Sequence, residues 1–317
     1  SGIINIVLKK NELFGFNGQV NGSLSQAFYP KENAGIECGY RNSKWTVFGS
    51  YNYDHYRGMN GIEITRNFYK NNGELESAYQ QNSRADLFMD ANSGKISVDF
   101  APTKKHTFGI VSNLMYSSRR LERTNHTRIS DSDLNYLSGS ETTTEQKNPL
   151  QNASYNFSYL FKIDSLGKEL SVNVDYANFK NDLVQNYSTT YLDQYYNNFG
   201  SPYILKTAFP LNVDVKSAKM DYVHPIGDKI RVELGVKSSF VKTDNYSKFW
   251  QVVNNEDSLL LNRTNHFIYN ENVNAGYLNY NQSVSKSVDI QIGLRCEQTI
   301  AKGEQLTTNT SFTRNYV

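Results

Sequence analysis

Leu170-Ser171-Val172-Asn173-Val174-Asp175-Tyr176-Ala177 decides the fold. Large apolar side chains fall on even positions and polar or small ones on odd positions. A chain that puts successive side chains on opposite faces has a period of two, so this stretch is a β-strand with one apolar and one polar side. The pattern recurs along the chain. Tyr155, Phe157, Tyr159, Phe161 and Ile163 alternate with Ser154, Asn156, Ser158, Leu160 and Lys162. Ile230 to Val236 and Val288 to Leu294 repeat it, Phe108, Ile110, Leu114 and Tyr116 continue it, and Trp45, Val47, Tyr51 and Tyr53 give an aromatic version. About eleven strands are expected, near 15–29, 34–42, 44–57, 84–101, 104–119, 151–163, 168–181, 212–225, 229–243, 271–285 and 287–301.

The connections between them are of two kinds, and the kinds alternate. Arg41–Lys44, Pro102–Lys105, Asp164–Lys168, Ile226–Lys229 and Ser285–Ser287 are short and rich in turn formers. The others, roughly 59–82, 121–149, 183–210 and 245–270, are long and polar. One end of the sheet is therefore trimmed and the other elaborated. Most of the strands meet the ~9–11 residues that cross a bilayer at a tilt. Long strands with one apolar face, short turns on one side and long loops on the other are the signature of an antiparallel, up-and-down transmembrane β-barrel.

Composition agrees with this. The 317 residues are only 38% hydrophobic, yet 23 are Tyr and 17 are Phe. A mean hydropathy of -0.61 suits strands whose polar half faces a watery lumen. No window approaches the ~20 consecutive apolar residues of a membrane-spanning helix. Tyr51, Tyr53, Tyr56, Tyr116, Tyr176, Tyr187 and Tyr246 sit near strand ends that enter long loops, where an outer aromatic girdle is expected.

The N-terminal run Ser1-Gly2-Ile3-Ile4-Asn5-Ile6-Val7-Leu8-Lys9-Lys10, followed by Gly15-Phe16-Asn17-Gly18, resembles the plug–barrel junction of TonB-dependent outer-membrane receptors. Lys104-Lys105-His106-Thr107-Phe108-Gly109 after a short turn is similar to their barrel. The resemblance implies that residues 1–13 are the last plug strand and junction, and that 14–317 are the N-terminal half of a barrel of about 22 strands. It further implies a place in the outer membrane of a Gram-negative bacterium. The partners would be outer-membrane lipid, a nutrient ligand (chelate, glycan or peptide), the protein's own plug and a TonB-type energy-coupling protein. Eleven strands are about half of such a barrel, so the chain reads as a fragment, inactive for transport by itself. An open sheet must pair with another copy, fold over a core of its own, or belong to a larger whole. A passive porin or adhesin-type barrel is the rival reading.

Within the loops, Tyr187, Tyr191, Tyr195 and Tyr196, with Phe249 and Trp250, are the candidate ligand-binding residues. Aromatic faces stack on a glycan, peptide or chelate while neighbouring amides bond its edges. Loop–loop packing accounts for the same residues. The 33 basic and 31 acidic residues interleave, leaving a net charge of +2 and no basic face for nucleic acid. His55, His106, His126, His224 and His266 lack metal-ligand spacing, and Cys38 and Cys296 lie far apart. No cofactor is expected. No nucleophile elbow, P-loop or dinucleotide fingerprint occurs. His126, Ser130 and Asp131 lie close in sequence, with nothing else to make them a hydrolytic set, and the protein is not expected to be an enzyme.

Overall fold

The computed structural model describes residues 14–285 and 288–317. The plug strand expected over 1–13 lies outside the described residues, as do Lys286 and Ser287 of the fifth short turn. The rest is a single antiparallel sheet of thirteen strands. The first five are β1 (Gly15–Gln26), β2 (Pro30–Arg41), β3 (Trp45–Tyr69), β4 (Leu75–Phe100) and β5 (His106–Ser130). They are followed by β6 (Tyr136–Lys162), β7 (Glu169–Leu192), β8 (Tyr203–Ile226) and β9 (Ile230–Val253). The last four are β10 (Glu256–Leu259), β11 (Asn265–Ser285), β12 (Val288–Gln305) and β13 (Thr310–Tyr316). Each strand pairs with its sequence neighbour, except that β10 folds back on β9 alone and β11 takes the next place in the sheet.

The four short turns that can be followed fall where the sequence places them. Asn42 closes the first: its Oδ1 accepts the Lys44 and Trp45 amides at 2.9 and 2.7 Å. Asp164 closes the third in the same way, accepting Leu166 and Lys168 at 2.9 and 3.0 Å, with Gly167 at φ 96°. That positive φ suits glycine, which lacks the Cβ that clashes there.

At the opposite end the long connections are largely strand. β3 and β4 continue to within a few residues of each other at Lys70–Glu74, β5 and β6 to Asp131–Asn135, and β7 and β8 to the bend after Leu192. The segments expected as loops over 59–82, 121–149, 183–210 and 245–270 are β-ribbons that prolong the sheet. Strands of 24 to 27 residues (β6 is 27, β7 is 24) are more than twice what a bilayer needs. Thr142–Thr144 and Ile62–Thr65 supply β-branched residues, which favour extended backbone without an apolar face. The tips are tight. Asn254 and Asn255, at φ 54° and 64°, make the two-residue reversal between β9 and β10, a geometry Asn tolerates through its short polar side chain. Ladder pairs are skipped beside Pro149 and Pro210, which have no N–H to donate.

Register fixes the faces. One row runs Phe100, Phe108, Tyr159 and Val172 across four strands, and a parallel one runs Val98, Ile110, Phe157 and Val174. Further along, Met220, Val236 and Gly276 extend the first of these rows. These residues form a continuous apolar belt on one side of the sheet, with Ile110 at 56%, Val236 at 54% and Leu294 at 70% exposure. So much exposed apolar surface on a well-paired sheet is lipid-facing surface. The opposite side at the same height is polar: Asn156 and Ser217 both bond Asp175, at 2.6 and 2.9 Å, and Lys219 meets Asp221 at 2.8 Å. Tyr277 also donates to Asp221, and its ring lies across Gly235, where any Cβ would collide with it.

Both borders of the belt are aromatic. Near the short turns, Trp45 stacks on Phe100 at 4.2 Å, Phe108 on Tyr159 at 4.9 Å and His106 on Phe161 at 4.6 Å. At the other border stand Tyr51, Tyr53, Tyr116, Tyr155 and Tyr176. Tyr51 bonds Asn92 at 2.6 Å and Tyr53 bonds Asp90 at 3.0 Å, each reaching toward water from an apolar row. From Trp45 to Tyr53 is eight residues, about 27 Å along a strand at ~3.4 Å per residue, or about 19–22 Å of height at a ~35–45° tilt, somewhat less than the ~25 Å band of outer-membrane barrels. Three expected members of this girdle are elsewhere. Tyr56 and Tyr187 point to the other face, because their registers with Lys31 and Thr144 give them inward parity. Tyr246 is lipid-side in parity but six residues beyond Phe240, stacked on His266 at 4.3 Å.

Candidate ligand-facing wall

Above the belt the polarity of the two faces inverts. On β7 the large apolar residues are even-numbered to Tyr176, and the next ones are odd-numbered at Phe179, Leu183 and Tyr187, with Val184 and Leu192 the exceptions. On β8 they are odd at Leu205, Phe209, Leu211 and Val213, then even from Ala218 to Tyr222. Since parity fixes the face, the apolar residues change sides where the strands leave the membrane. Outside the bilayer the outer surface meets water and becomes largely polar, Val184, Ile204 and Trp250 being exceptions, while the inner surface acquires an apolar, aromatic character.

This inner wall is a mosaic. Phe209 meets Phe249 edge-on at 5.4 Å, and the Phe249 amide reaches Thr264 Oγ1 at 3.4 Å. Gln185 donates to Gln146 at 2.8 Å, and Thr142 and Thr189 share a hydroxyl bond of 2.9 Å. Arg123 shares a row with Thr144, Tyr187 and Leu205. Burial pushes the Tyr187 phenol above its ordinary value, and the neighbouring guanidinium of Arg123 partly offsets this.

Buried polar atoms without a hydrogen-bond partner concentrate on the same wall. Among the described residues seven side-chain atoms are of this kind, and six have inward parity: those of Ser117, Arg123, Asn125, Asn148, Asn181 and Gln305. Buried polar groups in folded proteins are nearly always paired. A wall that mixes amide, hydroxyl and guanidinium side chains with aromatic rings is chemically suited to a ligand with both apolar and hydrogen-bonding parts.

The six candidates from the sequence divide. Tyr187 and Phe249 lie on the wall, as does Tyr191 near its rim, 47% exposed. Trp250 has the opposite parity, paired with Lys206 and Leu259. Tyr195 and Tyr196 belong to the β7–β8 tip, where Asp193 Oδ1 accepts the Tyr195 and Asn197 amides at 2.8 and 2.9 Å. Tyr196 stacks on Tyr136 of the neighbouring ribbon at 3.9 Å, which is the loop–loop packing that also accounts for it. Phe179, Leu183, Phe209, Leu211 and Arg123 also line the wall and are not among the residues expected from the sequence. The signal for them was the change of phase in the alternation, visible only if parity is followed through the polar segments.

His126, Ser130 and Asp131 do not converge. His126 pairs with Glu141 at 3.5 Å, Ser130 is buried and accepts from Arg128, and Asp131 closes the β5–β6 tip through Asp133 and Asn135. Among the described residues no group of three His, Cys, Asp or Glu side chains is placed to hold a metal ion.

An up-and-down antiparallel sheet, a lipid-facing belt between two aromatic borders and a polar opposite face together define an outer-membrane β-barrel protein. Residues 161–317 match the model of the outer membrane protein beta-barrel family, which places the protein in the outer membrane. No curated protein is similar enough to match. A solved structure, the Pseudomonas putida toluene transporter TodX, aligns over 90% of this chain and 86% of its own, with 9% identity and a TM-score of 0.26. A superposition that loose does not relate the two strand by strand.

Proposed function

We propose that this chain is part of a TonB-dependent receptor, the portion of barrel wall that captures a scarce nutrient on its inner surface above the membrane. The observation that carries this reading is the inversion of polarity with its unpaired polar atoms. An apolar inner wall outside the bilayer needs something to cover it, and Asn125, Asn148, Asn181 and Arg123 lie on it with buried polar atoms that have no partner within the sheet. A chelate, glycan or peptide has the mixed chemistry required. Tyr187 and Phe249 are its stacking surfaces on this account, with Tyr191 at the rim. Below the wall, the polar belt interior around Asp175 and Lys219 suits a plug that slides or rearranges in water.

Import through a plugged barrel needs energy from an inner-membrane partner acting on the plug. The test is depletion of ligand from the medium by cells carrying the full-length protein. Depletion that stops when the energy-coupling protein is deleted supports the proposal, and depletion that continues supports a passive porin instead.

A further inference from the structure

A cavity opens on the lipid side of the sheet, at the outer border of the belt. It encloses about 520 Å³ between β7 and β12 and is lined by Tyr176, Asp214, Lys216, Phe240, Lys242 and Lys302. Register explains why these side chains meet. Tyr176, Lys216 and Phe240 form one outward row, which continues to Ile300. Asp214, Lys242 and Lys302 belong to the next outward row. The first row is the outer border of the apolar belt, the level of lipid headgroups.

Two of the ammonium groups here lack the ion pairs found elsewhere along that border, although the Asp214 carboxylate stands opposite Lys242 in the ladder. On β3 to β5, His55 meets Asp90 at 2.7 Å, Arg84 meets Asp86 at 3.8 Å and Arg120 meets Glu122 at 3.3 Å. In the cavity, Lys302 pairs with Glu304. Asp214 is already engaged, accepting from Tyr176 and Asn178 at 3.0 Å each and from Asn212 at 3.2 Å. Glu271, also at the cavity, has inward parity and accepts the Tyr269 hydroxyl at 2.7 Å. Lys216 and Lys242 make no ion pair or hydrogen bond to any described residue, and both are exposed. Two free ammonium groups thus stand where an apolar surface meets water, above Phe240, which is 55% exposed.

We propose that this cavity binds the phosphorylated headgroup of an outer-leaflet lipid. Lys216 and Lys242 would take the phosphate oxygens, their methylene stems lying along the rings of Tyr176 and Phe240. The acyl chains would continue down the belt past Val174 and Val236. That continuity selects a lipid over a soluble anion, which has no use for the apolar floor. The cavity runs from β7 to β12, whose Ile300 and Lys302 are paired on their far side with Asn315 and Thr313 of β13.

Native mass spectrometry of the full-length protein in detergent tests this, with diphosphorylated lipid A and phosphatidylcholine in competition. The expected result is a preference of about thirtyfold for the phosphorylated lipid, from two ammonium contacts at the membrane surface. The preference is lost in Lys216→Gln/Lys242→Gln and kept in Lys95→Gln/Lys237→Gln, whose side chains have inward parity. Heat-modified gel mobility shows that both variants are folded. No preference in the wild type, a preference that survives the first pair of substitutions, or displacement by millimolar inorganic phosphate alone would overturn the proposal.

Discussion

The Tyr176 hydroxyl donates to Asp214 Oδ1 across the β7–β8 ladder at 3.0 Å, on the lipid side of the sheet. The ring sits in the apolar row of Tyr155 while the carboxylate stands one row further out, already held by Asn178 and Asn212. A phenol between hydrocarbon and a hydrogen-bonded carboxylate marks the membrane border on this strand. Two residues before it the chain faces lipid, and three residues after it the large side chain, Phe179, faces inward.

Adjacent residues on β7 will therefore respond oppositely to charge. Val174→Arg places a guanidinium in hydrocarbon and is expected to cost about 2–4 kcal/mol, the range for Arg on a lipid face. Asn173→Arg, one position away and facing the polar interior, is expected to change stability by less than about 0.5 kcal/mol. Urea unfolding from lipid vesicles measures both.

The two ribbon tips carry the same device with different consequences. Leu134 and Tyr196 both adopt left-handed backbone, φ 63° and 65°, a conformation costly for residues with a Cβ. Leu134 is 55% exposed and gains little in return, so Leu134→Gly is expected to stabilise by about 0.5–1 kcal/mol. Tyr196→Gly gives up the Tyr136 stack, worth about 0.5–1.5 kcal/mol, and is expected to be neutral or destabilising. Thermal unfolding of the two variants side by side reads the difference.

The Asp193 turn is expected to loosen in acid. The Asn197 and Tyr195 amides and the Asn197 side chain bond its carboxylate and hold it below the usual carboxylate range, against a smaller opposing effect of burial. A folded value below the unfolded one means that the stabilisation is whole above about pH 4 and is lost as pH falls through the folded value. Amide exchange at Tyr195 and Asn197, corrected for intrinsic rate, should accelerate below pH 4. In Asp193→Asn that acid-dependent step should vanish.

On the inner wall, Tyr187→Ala and Phe249→Ala are each expected to weaken ligand retention by about tenfold, equivalent to about 1.4 kcal/mol. Trp250→Ala, on the other face, should leave retention unchanged. Equilibrium binding of the imported ligand by the full-length protein distinguishes the three.

The belt was legible because lipid imposes a simple rule: from Leu170 to Tyr176 every second side chain is apolar, and Asp164–Lys168 announces the turn before it. The ribbons beyond were not read as strands because that rule lapses outside the bilayer. Thr142, Thr143 and Thr144 extend the backbone as well as valine does, but they present no apolar face to count. The inner wall was half hidden for the same reason. Tyr187, as an aromatic near a strand end, fits the girdle as well as the ligand site, and only the shift from even Tyr176 to odd Phe179 tells which side it is on. The Tyr136–Tyr196 stack joins two tips 60 residues apart, and nothing in either local sequence indicates it.

The central claim is that the sheet turns its apolar side outward within the membrane and inward above it. Spin labels placed singly from Leu170 to Leu192, with Cys38 and Cys296 changed to Ser, measure this in lipid vesicles through collision with oxygen and with a water-soluble nickel chelate. The account predicts high oxygen accessibility at positions 170, 172 and 174, low at 171, 173 and 175, and no oxygen preference at 179, 183 or 187. Lipid-type accessibility continuing at even positions beyond 180, or appearing at 179 and 183, would contradict it.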